Sequence, residues 1–227
     1  MSAEPPNADA DAHSTVERAV ATATLGLGPR LDRNATRTLA GHVESDPDAR
    51  VRIAALGALV RRAPKVSARA AWRRATRDTD AAVRRRAAEL APALDTPATR
   101  ATLVDRVLTL LADDEVLVAE AAAFALGELG SHRQRGTTDV SMSAALASAT
   151  TEHADPLVRE AAVAALGAIG DASSLWAVLA ATRDRPAIRR RAVLALAAFE
   201  GAEVEAAIHA ALTDTDWQVR QAAEDLR

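Results

Sequence analysis

Cysteine is absent from this 227-residue chain, which excludes disulfides, thiolate metal sites and a cysteine nucleophile. Tyrosine is absent too, and three Trp and two Phe supply all the aromatic surface. Lys65 is the only lysine, so arginine carries nearly all the positive charge. No run approaches the ~18 apolar residues of a membrane span. Met1 to Ser14 lacks the basic and apolar segments of a secretory signal. A cytoplasmic location without a membrane partner is expected. No glycine-rich dinucleotide loop, P-loop or nucleophile elbow is present. The histidines, His13, His42, His132, His153 and His209, form no metal-binding pair at helical spacing. Glu152, His153 and Asp155 are close in sequence, but they fall at a turn between helices, where capping accounts for them. The sequence therefore offers no catalytic residue, no metal site and no cofactor, and the expectation is a non-enzyme.

What the chain does have is alanine and a repeat. It is 49% hydrophobic, mostly in small side chains that suit close helix packing. One phrase recurs: an acidic residue, two more residues, Val, often Arg, then alanines ending in Ala-Leu. Copies stand at 48–59, 80–91, 115–126, 155–166, 185–196 and 216–227. Their anchors are Val51, Val83, Val118, Val158, Ile188 and Val219. Each is followed four residues later by Ala55, Ala87, Ala122, Ala162, Ala192 or Ala223. Apolar residues recur at offsets 7 and 8, which completes one face of an α-helix. Asp48, Asp80, Asp155 and Asp216 stand where N-caps belong, and Pro156 and Pro186 at first helical positions. Gly130, Gly170 and Gly201 are read as C-caps.

A second amphipathic set lies between these helices, near 15–26, 34–44, 67–77, 98–112, 141–152, 172–183 and 202–213. The unit is helix, turn, helix, and no unit can bury its apolar face without a neighbour. Residues 1–14 read as a disordered acidic tail, 15–227 as a single array, and 131–140 as a longer polar loop. The helix at 15–26 has no partner and reads as an N-terminal cap.

The phrase D-x-x-V-R-x-x-A-x-x-A-L-G, complete at Asp155–Gly167, resembles the HEAT-repeat family, in the short form also found in phycobilisome-lyase-like repeats. The resemblance spans roughly 34–227. It implies an all-α solenoid, a right-handed superhelix of about six HEAT-like helix pairs, whose second helices line a concave face.

Charge is segregated along the chain. Residues 30–106 hold 17 basic and 9 acidic side chains, and residues 107–227 hold 10 and 18. In a solenoid this makes one basic and one acidic end, and predicts weak head-to-tail self-association. Arg52, Arg84, Arg85, Arg159, Arg189, Arg190 and Arg220 follow the anchors by one or two positions, so they share a face that could meet an acidic protein or phosphates. The same spacing puts Arg four residues after the cap in Asp48/Arg52, Asp80/Arg84 and Asp155/Arg159. The resemblance implies a structural ladder between units for such pairs. Trp72, among Arg69, Arg73 and Arg74, is a candidate stacking residue. Trp176 reads as core and Trp217 as partly exposed.

The resemblance favours a protein-binding scaffold with an unidentified protein partner. The alternatives are nucleic-acid binding, as in HEAT-like alkylpurine DNA glycosylases, and a phycobilisome-lyase-like maturation factor. The acidic second half opposes the first alternative, and no chromophore-binding residue identifies the second.

Overall fold

The computed structural model describes residues 8–25, 27, 30–131 and 140–227. Helix α1 (Ala8–Leu25) precedes six helix pairs. These are α2 (Arg33–Ser45) with α3 (Ala49–Arg62), α4 (Lys65–Ala75) with α5 (Ala81–Leu90), and α6 (Arg100–Leu111) with α7 (Val116–Ser131). Then come α8 (Val140–Glu152) with α9 (Pro156–Ile169), α10 (Leu175–Ala181) with α11 (Pro186–Ala195), and α12 (Ala202–Ala211) with α13 (Trp217–Glu224). No strand occurs among the described residues, and the fold is an all-α solenoid of HEAT-like pairs. Helix α1 starts at Ala8, inside the segment expected to be a tail. Residues 1–7, and 132–139 of the expected loop, lie outside the described residues.

The helices begin where the sequence chemistry places them. Asp48, Asp80, Asp155 and Asp216 are all N-caps in extended backbone. Their carboxylates accept first-turn N–H groups at 2.8, 2.8, 2.8 and 2.9 Å. Asp32 does the same for α2, accepting from Ala35 N–H at 2.7 Å. Arg185 caps α11 without a side-chain bond, and Pro186 follows at the first turn.

Every anchor and every alanine four residues after it is buried: none of the twelve exceeds 1% exposure. Each Val or Ile so buried contributes roughly 1.5–3 kcal/mol. The alanines contribute less area and allow neighbouring axes to approach.

Of the three expected C-cap glycines, one is a C-cap. Gly170 is left-handed (φ 66°) and donates to the Leu166 carbonyl at 2.9 Å. Gly201 (φ 122°) instead opens α12 as its N-cap residue. Gly130 is inside α7, and a Cβ there would meet Ile169 at 2.4 Å, so glycine serves close packing.

The chain forms two compact units, up to Leu94 and from Asp95, where a single array over 15–227 was expected. In the first unit α1 lies on α3, and α3 on both α4 and α5. In the second, the second helices stack in order: α7 on α9, α9 on α11, α11 on α13. Glycine sets that stack. A Cβ on Gly127 would meet Ala165 Cα at 2.8 Å, and one on Gly167 would meet Ala195 Cα at 2.8 Å. The first helices of this unit pack less tightly. A cleft of about 890 Å³ opens along α10 and α12, lined by Leu175, Trp176, Leu179, Ala207 and Ala210.

Candidate functional site

The arginines one position after the anchors do form a ladder, but with acids other than those expected. Arg52 grips Asp78 through Nε at 2.9 Å and Nη2 at 2.8 Å. Arg159 holds Asp184 at 2.7 and 3.0 Å, and Arg189 holds Asp214 at 2.9 and 2.6 Å. These acids lie in the turn of the following repeat, 25 or 26 residues away. The cap aspartates Asp48, Asp80 and Asp155 are not the partners because they already accept backbone N–H groups of their own helices.

The third guanidinium nitrogen of each arginine turns back to its own repeat. Nη1 donates to the carbonyls of Asp46 (Arg52), Asp78 (Arg84), His153 (Arg159), Asp184 (Arg189) and Asp214 (Arg220), at 2.7 to 3.0 Å. Arg52, Arg159 and Arg189 thus pin the turn before their own helix and the corresponding turn of the next repeat. Planar, bidentate geometry is the arrangement in which Arg–carboxylate bonds are strongest. The Arg52–Asp78 side chains are only 12% and 10% exposed, so water screens them weakly.

The ladder shows in the titration of its acids. Hydrogen bonding from Arg159 holds the Asp184 carboxyl below the ordinary carboxylate range, against partial burial. Arg189 does the same to Asp214. The cap Asp48 is lowered to about 2, chiefly by a side-chain bond from Arg50.

The ladder acids serve a second role. Asp78 accepts the N–H of Asp80 at 2.9 Å, and Asp214 that of Asp216 at 2.8 Å. Asp46 and Asp113 receive Asp48 and Glu115 likewise, at 3.0 Å each. His153 takes that place before Asp155, its Nδ1 accepting at 3.1 Å. The local sequence sign is an acid two residues before the cap, as in Asp46/Asp48, Asp78/Asp80 and Asp214/Asp216. Sequence reasoning passed over it.

At Ala119 the phrase has no arginine, and this alanine is fully buried. Arg100 of α6 makes a different connection in that repeat. It binds Asp95 and the backbone carbonyl of Leu129, near the end of α7.

The eight expected contact residues therefore part ways. Arg52, Arg159 and Arg189 are committed to the ladder, while Arg84 and Arg220 bond carbonyls of their own turns. Arg85 faces solvent and reaches Glu89 at 3.2 Å, and Arg190 is exposed on α11. Trp72 is not a contact residue: it is 2% exposed, and its Nε1–H donates to the Ala87 carbonyl at 2.7 Å. An indole buried with its donor satisfied is core. The expectation for Trp176 reverses as well. It is 56% exposed, because α10 and α12 leave the cleft open beside it. Trp217 is 64% exposed, as its place beside the cap implied.

Among the described residues no cluster of three or more His, Asp or Glu could hold a metal ion. No described helix is long and apolar enough to cross a membrane.

Comparison with known proteins agrees with this geometry. The model of the HEAT-repeat family matches residues 104–187. Among solved structures, the YibA protein of Escherichia coli is similar over 98% of this chain and 75% of its own, at 13% identity and TM-score 0.63. An engineered protein is similar over 86% and 97%, at 18% identity and TM-score 0.61. The complex of CpcE and CpcF of phycocyanin lyase from Nostoc sp. PCC7120 is similar over 86% and 76%, at 21% identity and TM-score 0.57. At these identities the likeness is one of fold. No curated protein matches the sequence. Residues 104–187 match the HEAT-repeat model, and the helix pairs on either side keep the same Val- or Ile-anchored plan, so the chain is similar to HEAT-repeat proteins in fold.

Proposed function

We propose that this protein is a non-catalytic scaffold that binds another protein through the outward faces of its helix pairs. The ladder is the observation that carries this reading. Three of the arginines that would make a phosphate-reading stripe are spent on aspartates of the next repeat. Positive charge along that line is neutralised from within, which removes the main source of affinity for nucleic acid. The faces left over mix apolar and charged groups on a rigid helical frame, as protein-docking surfaces do.

A cytoplasmic setting and the absence of a cofactor belong to the same reading. Affinity capture with the tagged full chain, then reconstitution of the purified pair, tests it. A stoichiometric complex with one protein is the expected result. Recovery of nucleic acid or a small molecule in place of a protein overturns it.

The nucleic-acid reading keeps one foothold, in the unit up to Leu94. Arg73, Arg77 and Arg85 are exposed there. Arg74 and Glu44 pair at 2.7 Å with both side chains over half exposed, so their attraction is weak and easily exchanged. Duplex DNA binding that falls steeply with salt, and is lost in Arg73→Glu/Arg85→Glu, would move the assignment there.

A further inference from the structure

We infer that the outward stripe of α7, with Leu157 of α9 beside it, docks a basic amphipathic helix of a partner protein. This rests on the scaffold reading and specifies the chemistry of the partner.

Leu117 and Phe124 are 48% and 50% exposed on α7. Seven residues separate them, so they point the same way, roughly 10.5 Å apart along the axis. Leu157 is 38% exposed on α9. Leu117 and Leu157 each stand one residue before their anchors, Val118 and Val158, so they share a register on stacked helices. That position holds Arg50, Ala82, Ala187 and Gln218 in the other repeats. At this position a large apolar side chain occurs only on α7 and α9. Exposed side chains of this size are ordinary when scattered singly. Three in register over a stack fixed by the Gly127–Ala165 contact make a pre-organised platform.

Glu120 and Glu128 complete the α7 stripe at spacings of 3, 4 and 4 through Leu117, Glu120, Phe124 and Glu128. Neither carries a salt bridge among the described residues. On α9, which stacks on α7, Ala164 is half-buried and Ala168 exposed, both small side chains. The stripe alternates apolar and acidic groups with a helical period, and another helix matches it by alternating apolar and basic groups. The wider field has the same sign. From Asp95 onward the chain has 20 acidic against 12 basic residues. Nucleic acid and anionic lipid surfaces are therefore repelled from this face, and a Lys- or Arg-bearing helix is steered to it.

The test uses the full chain and two labelled synthetic peptides of about five turns. Both carry leucines at alternating 3- and 4-residue intervals, one with lysine and the other with glutamate between them. Fluorescence anisotropy should show the lysine peptide binding and the glutamate peptide at least about tenfold weaker. Phe124→Ala should weaken the lysine peptide about tenfold or more, as loss of a central aromatic does. Glu120→Lys/Glu128→Lys should invert the preference. All three side chains are at least partly exposed, and circular dichroism checks that the variants remain folded. Equal binding of the two peptides, or affinity unchanged in both variants, overturns the proposal. The scaffold reading fails separately, when the wild-type chain recovers no protein partner by affinity capture.

Discussion

At the scale of single residues, the ladder arginines decide most. Arg159 makes five hydrogen bonds: two to Asp184, two to carbonyls of its own turn, and one from its own N–H within the helix start. Arg159→Leu leaves the Asp184 carboxylate and the His153 carbonyl short of partners, and should cost about 2–3 kcal/mol. Urea titration measures this directly. A double-mutant cycle with Asp184→Asn should return a coupling of about 1–2 kcal/mol. Additivity of the two changes would mean the pair is decorative.

The same acids set a pH dependence. Asp184 and Asp214 have folded-state pKa values below their ordinary ones. In that window the unfolded chain binds more protons than the folded one, so stability rises with pH there. Their contribution is complete above the unfolded carboxylate value of about 4 and is lost as pH falls through the lowered folded values. Between about pH 5 and pH 3, Asp184→Asn/Asp214→Asn should lose less stability than wild type.

At this scale the sequence was partly legible. The caps at Asp48, Asp80, Asp155 and Asp216 could be read because a cap bonds to its own chain neighbours. The Arg–Asp partners could not, since Arg52 and Asp78 meet only after two helices have turned back on each other. Spacing within one helix pointed to Asp48, whose carboxylate the helix start had already claimed. Trp72 and Trp176 were exchanged between core and surface for a related reason. Periodicity tells which side of a helix a residue is on, but not whether a neighbouring helix reaches it.

At the scale of elements, two glycines with opposite roles make a paired prediction. Gly127 is in the interior of α7, where a Cβ would meet the Ala165 backbone at 2.8 Å. Alanine is the better helix former by about 1 kcal/mol. The clash is with a main chain and cannot be relieved by a rotamer change, so Gly127→Ala should still destabilise by about 1–3 kcal/mol. Gly41 is in the middle of α2 with nothing within 4 Å of a Cβ. Gly41→Ala should stabilise by about 0.5–1 kcal/mol. Thermal melts of the two variants should move in opposite directions. Helix existence and order were legible at nearly every element, because a capped start and a 3.6-residue apolar face are local features. The dual use of glycine was not, since a close approach and a C-cap look alike in sequence. Gly130 and Gly201 show this.

At the scale of the whole molecule, charge separation becomes measurable. The unit up to Leu94 has 16 basic and 11 acidic residues, and the unit from Asp95 has 12 and 20. Opposite net charges on two units of one chain favour association of unlike units from different copies. Sedimentation at about 0.02 M salt should show weak, concentration-dependent association. It should disappear near 0.3 M salt, where screening is effective within roughly 6 Å. A monomer under both conditions removes self-association from the picture.

The ladder also works as a gauge of length. Each Arg–Asp rung spans one repeat, so a cut inside the helices keeps the ladder when it brings the next arginine into the vacated place. Val158 and Ile188 are 30 positions apart in sequence. Removing residues 159–188 would join Val158 directly to Arg189, under the existing Asp155 cap. Arg189 would then inherit the place of Arg159 and keep its own Asp214. Such a shortened chain should still melt cooperatively, because stability in stacked repeats is a sum over units and their interfaces. A cut a few residues longer or shorter would put the rung out of register and turn the valine face away from its neighbours. The repeat thus specifies the size of a cut through α9 and α11 that keeps both the rungs and the valine face in register.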